Sequence, residues 1–145
     1  MKLFTLKPVP WARMATTAPV ALLALAALVP TAQAAKPAEL LAEYTAKAGA
    51  PASPERGQKL FTTKGTGDMG WSCASCHGAT PTGKGRNALS EKSIDALAPA
   101  FNPARFTDRS KVDGWFKNNC KDVLARECTA AEKADILSWL LTFKP

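Results

Sequence analysis

The chain has 145 residues, with 19 Lys+Arg against 12 Asp+Glu, four Cys and one His. That is one domain's length, too short for a large multi-substrate enzyme. A hydrophobic content of 46% and well-separated Trp residues exclude disorder for the body of the chain.

The first feature in chain order is a leader. Lys2, Lys7 and Arg13 make a positive start, Ala18 to Val29 is an apolar run, and Pro30 breaks it. Ala32-Gln33-Ala34 then offers a small-x-small cleavage site. The run is little more than half of the roughly 20 apolar residues that a membrane-spanning helix needs. The expectation is a signal peptide over 1–34 and a mature domain over 35–145, exported to the periplasm and off the membrane after cleavage. Removing the leader also removes three of the basic residues. The others, such as Lys47, Lys84 and Lys121, are scattered. They read as a solvated surface that can steer acidic protein partners, not as a nucleic-acid site.

Helix signals dominate the rest, and strand signals are weak. Ala38 to Ala48 follows Pro37, carries Leu40, Leu41 and Tyr44 at helical spacing, and stops at Gly49. Ser53-Pro54-Glu55 is a helix start, and that helix is expected to reach Thr63 and bury Leu60 and Phe61. Lys64 to Gly70 reads as loop. Gly78 to Pro103 reads as mostly loop, with one short helical turn over Ser93 to Leu97. Asp108 to Asn119 forms a third helix, with Val112, Trp115, Phe116 and Asn119 on one face. Thr129 and Glu132 make a capping box for a terminal helix that presents Ile136, Leu137, Leu140 and Leu141. The pattern is all-α, four to five short helices with a thin core. A chain of this size buries only around two-thirds of its unfolded surface and needs a cofactor or cross-link to hold it.

The cysteines supply both. Cys73-Ala74-Ser75-Cys76-His77 is C-x-x-C-H, the attachment signature of c-type haem. In this motif the thiols form thioethers with the porphyrin vinyl groups and the adjacent imidazole becomes the proximal iron ligand. A thioredoxin-type C-x-x-C needs a βαβ setting that is absent, and an oxidising compartment disfavours a four-thiolate zinc site. Two glycine patterns are decoys. Gly65 to Gly70 fits G-x-G-x-x-G but follows a helix. Gly78 to Lys84 fits G-x-x-x-x-G-K but is followed by Gly85, where Ser or Thr is required. Both read as flexible turns near the haem edge.

The sixth iron ligand is approached by elimination. His77 is the only His, which excludes a second imidazole from the same chain. Met1 and Met14 lie in the leader. Met69 precedes Cys73 by four residues, an awkward position from which to reach the other haem face. Lys, Asn, water and an open site remain. Asn119 continues the apolar face of its helix and directly precedes Cys120; it reads equally well as a ligand and as a helix C-cap. Cys120 and Cys128 are the leftover pair, and export favours a disulfide, contributing roughly 2–3 kcal/mol in the chain-entropy account. Arg105 and Arg126 are candidates for haem carboxylates, but ordinary surface charge is the expected role of both.

The segments WSCASCHG (71–78), LAP (97–99), RFTD (105–108), VDGWFKNNCKDVLARECT (112–129) and EKADILSWL (132–140) resemble the sphaeroides haem protein (SHP) family. Ala38–Arg56 is also similar, and the loop 78–96 matches less well. The family consists of exported monohaem cytochromes c with an asparagine sixth ligand and a fold like that of class I cytochrome c. The resemblance implies haem c on Cys73 and Cys76, His77 and Asn119 as iron ligands, and a Cys120–Cys128 disulfide. It further implies loss of the Asn ligand on reduction, binding of O2, NO or cyanide, and electrons from a dihaem cytochrome c. An amide oxygen is a hard neutral donor and suits ferric better than ferrous iron. Two other readings stay open: a haem enzyme with peroxidase or NO/O2 chemistry, and a plain electron carrier ligated by Met69 or a Lys.

Overall fold

The computed structural model describes residues 36–145; the expected signal peptide lies outside the described residues. Five helices occur in the order α1 (Pro37–Ala48), α2 (Pro54–Thr62), α3 (Cys73–His77), α4 (Arg109–Leu124) and α5 (Ala130–Leu140). Between α3 and α4 lies a small antiparallel pair, β1 (Gly85–Arg86) and β2 (Ser93–Ile94), in the register Gly85↔Ile94 and Arg86↔Ser93. The helical turn expected over Ser93 to Leu97 is therefore a strand end, because Ser93 and Ile94 find hydrogen-bonding partners across the hairpin.

The helix ends follow the local chemistry. The Ser53 side chain accepts from the Arg56 N–H at 3.2 Å, Asp108 from Lys111 at 3.2 Å and Thr129 from Glu132 at 3.2 Å. Each satisfies a donor that the first helical turn leaves free. Gly49 closes α1 at φ +66°, which costs a residue without Cβ little. α4 is longer than its apolar face predicts. It runs past Asn119 to Leu124 and is closed by Ala125 in the left-handed conformation. Asn119 is thus inside the helix and is not its cap.

α5 is the central element, and both α1 and α2 pack against it. Beyond the expected Ile136, Leu137 and Leu140, it also buries Ala134, Asp135 and Trp139. A helix covered on several sides loses its polar face, so a single stripe understates it. The Phe61 and Trp139 rings meet at 4.9 Å between centroids. At the α2–α5 crossing, a Cβ on Gly57 would collide with the Asp135 carbonyl. The Gly57→Ala variant is expected to lose roughly 1–3 kcal/mol through forced separation of the helices. A urea midpoint unchanged from the parent would show that the crossing is looser than this.

Two polar networks fasten the helices. The buried Asp135 carboxylate accepts from Ser53 N–H at 2.7 Å and from Arg56 Nε and Nη2 at 2.7 and 2.8 Å. This joins the start of α2 to α5. Asp113 of α4 accepts from the Tyr44 hydroxyl of α1 at 2.8 Å and from Lys133 Nζ of α5 at 3.2 Å. Arg126 is paired with Glu132 at 2.6 and 2.8 Å, which commits it to a protein carboxylate. Arg126 and the Thr129 N–H hold the Glu132 carboxyl down at about 2, against an ordinary 4.5. A depressed carboxylate stabilises the fold above its ordinary value and loses that contribution as pH falls through the folded value. Acidification from about pH 4.5 to about 2 should therefore lower the urea midpoint of the parent more than that of Arg126→Gln. Parallel curves would contradict the role given to this pair.

Candidate haem site

The attachment motif forms a helix of its own. Ser72 precedes it in extended conformation, and its N–H donates to Ser75 Oγ at 3.0 Å. Gly78 ends it at φ +75°, with its N–H bonded to the Ala74 carbonyl at 2.9 Å. Helical geometry puts residues three apart on one face, so Cys73 and Cys76 project together with His77 beside them. Three glycines in or beside the decoy patterns serve this site by close approach. Gly85 lies on the Cys76 carbonyl, where any Cβ would collide. Gly65 and Gly67 lie likewise on the carbonyls of Val123 and Asp122. The segment holding Gly65 and Gly67 is anchored to the end of α4: Gly67 N–H donates to Val123 O and Thr66 Oγ1 to Leu124 O, both at 2.9 Å. The flexible turn expected here is a docked strap, because small residues let backbone meet backbone.

One cavity of about 310 Å³ is lined by Cys73, Cys76 and His77 from α3 and by Asn119 from α4. Its other walls are mostly apolar, with Phe61, Val112, Phe116, Ile136 and Leu140 among them. Burial pushes the Cys73 thiol up to about 11, so it keeps its proton at neutral pH. Burial, helped by the charge of Arg105, holds His77 down at about 4, so its ring is neutral and has a free lone pair. Two thiols, a neutral imidazole and apolar walls suit a covalently attached porphyrin. Met69 is 58% exposed and does not line the cavity, and among the described residues neither does any Lys. Asn119 is itself exposed, with no side-chain hydrogen bond among the described residues, so it lacks the buried partner that its apolar face implied.

Asn119 sits between two restraints. Asp113 ties the first half of α4 to α1 and α5. Immediately after Asn119, Cys120 is joined to Cys128 by a disulfide, with Cα atoms 5.6 Å apart. The strap holding Gly65 and Gly67 fixes the end of the helix beyond it.

The family described as a domain of unknown function, DUF1924, matches residues 47–140. The chain is 48% identical over 106 residues to cytochrome c-type protein SHP of Cereibacter sphaeroides, covering 72% of this chain and 81% of that protein. This chain belongs to the SHP-type cytochrome c family. Like others of the type, it carries one covalently bound haem c on an all-α, class I-like fold. Cytochrome c'' of Methylophilus methylotrophus is 44% identical over 70 residues, which is 48% of this SHP-type chain and 49% of that one. The solved structure of oxidised SHP, an oxygen-binding cytochrome c, matches with a TM-score of 0.70 at 46% identity. It covers 74% of this chain and 96% of that chain. The crystal structure of oxidised cytochrome c'' matches with a TM-score of 0.69 at 34% identity, covering 75% and 95%.

Arg105 departs from the ordinary surface charge expected of it. That residue is half-buried and lines the cavity; it is not free surface charge. Its guanidinium lies over the Trp115 ring, a tertiary contact that no local pattern records.

Proposed function

We propose that this SHP-type chain is an exported electron-transfer cytochrome whose distal site opens on reduction to bind O2, NO or another small ligand. When bound, the haem supplies the iron that takes up the electron and the ligand. Cys73 and Cys76 would hold it, each S–H adding across a vinyl group to form one S–C bond with its hydrogen on the neighbouring carbon. His77, neutral and lining the cavity, would offer its ring lone pair to the iron. Asn119 would offer its amide oxygen to the iron, a weak neutral donor that ferrous iron binds less well than ferric iron. Once released, its NH2 can donate a hydrogen bond to an incoming ligand.

The observation that carries this reading is that Asn119 lines the same cavity as the C-x-x-C-H residues while Met69 and every described Lys stay out of it. The description of SHP as an oxygen-binding cytochrome c supports the ligand class. Cleavage of residues 1–34, periplasmic export and a dihaem cytochrome c as electron donor belong to the same proposal. Among the described residues no helix is long and apolar enough to cross a membrane. No second imidazole exists to serve as the distal acid–base group that a peroxidase would use.

Titration of the reduced protein with carbon monoxide tests this reading. One molecule bound per chain with a shifted Soret band is expected, and an unresponsive spectrum would refute it. The Met69→Ala variant should keep the parent's ferric and ferrous spectra. Loss of a ferric sixth ligand in that variant would instead select the plain Met-ligated carrier.

A further inference from the structure

We infer that Arg105 binds a carboxylate of the attached haem and thereby sets the charge balance at the iron. The inference rests on the haem site proposed above. Among the residues lining the cavity, Arg105 is the sole Lys or Arg. Its environment is built. Nε donates to the Ala96 carbonyl at 3.0 Å and Nη2 to the Asp95 carbonyl at 2.8 Å. The guanidinium lies over the Trp115 ring, 5.4 Å from its centroid. These contacts fix the fork and leave three of its five N–H groups without a partner among the described residues.

The other described arginines show what is missing. Arg56 pairs with Asp135, Arg86 with Glu91, Arg109 with Glu43 and Asp113, and Arg126 with Glu132. Arg105 alone among them has no carboxylate partner, although it is half-buried. A half-buried guanidinium calls for a counter-charge, and its planar fork fits a carboxylate with two parallel hydrogen bonds. Haem carries two propionate carboxylates, so the bound group itself brings the anion that the protein withholds. The other charged or titratable groups around the cavity are Asp122 from α4 and Cys73, Cys76 and His77 from α3; the single acidic one, Asp122, makes no ion pair with Arg105.

A cation at this place favours the reduced state, which carries one positive charge fewer. The test uses the intact holoprotein with 13C in its haem carboxylates. In the parent, one carboxylate should stay ionised to distinctly lower pH than the other. Arg105→Leu should abolish that difference, lower the reduction potential and make it pH-dependent as the unpaired carboxylate titrates. Arg105→Lys, which keeps the charge, should restore most of the potential. Two carboxylates titrating alike in the parent would overturn the inference, even if no variant matures. So would an Arg105→Leu potential equal to the parent's. A parent potential that follows added phosphate would also overturn it, by assigning Arg105 to free anions. A normal pyridine haemochrome in each sample separates these failures from failure of the haem site, in which no haem signal would be found.

Discussion

Replacing Cys73 and Cys76 together by serine should abolish covalent haem retention and leave a chain that does not hold its fold. The magnitude follows from the cavity. At about 24 cal/mol per Å³ of unfilled interior, about 310 Å³ corresponds to roughly 7 kcal/mol. Domains of this size are stable by only about 5–15 kcal/mol in total. The walls of the cavity include Phe61, Val112, Ile136 and Leu140, which belong to α2, α4 and α5. Without the disc between them, these helices share only the α5 side of the core. The helical circular dichroism of the double variant should therefore melt well below that of the holoprotein, with no haem surviving acid–acetone extraction. A double variant that kept its melting temperature would show that α1, α2 and α5 suffice alone. Single serine variants should retain haem through one thioether and fall between the two.

Asn119→Ala is expected to produce the second large effect, on the iron and not on the fold. Asn119 is exposed and makes no side-chain hydrogen bond among the described residues, so in the reduced protein, where the amide is free, its truncation should change stability by less than about 1 kcal/mol. The ferric spectrum should convert from low-spin to high-spin as the amide donor is lost. External ligands would no longer compete with an internal one. If the amide–iron bond contributes about 1.4–3 kcal/mol, ferric affinity for cyanide should rise about ten- to a hundredfold. The ferrous protein, already free of the amide in this account, should bind carbon monoxide with nearly the parent's affinity. Equal effects on both oxidation states would mean that Asn119 does not leave on reduction.

Much of this architecture is written locally. Ser53-Pro54, Asp108 and Thr129 mark helix starts through their own side chains, and Gly49 marks an end through its missing Cβ. The C-x-x-C-H motif is legible because its chemistry depends on spacing within five residues. What escaped local reading depends on distant partners. α4 outlasts its apolar face because Gly65, Thr66 and Gly67 cover its last turn. Ser93 and Ile94 become strand because Gly85 and Arg86 lie opposite. Arg105 leaves the surface because Asp95 and Ala96 present carbonyls to it, and no periodicity records that.

The most direct measurement is the absorption and magnetic circular dichroism spectrum of one purified sample, read first oxidised and then reduced. The account expects one haem c per chain, six-coordinate low-spin iron when oxidised, and five-coordinate high-spin iron when reduced. Ferrous iron that remains low-spin, with two strong protein ligands, would contradict it.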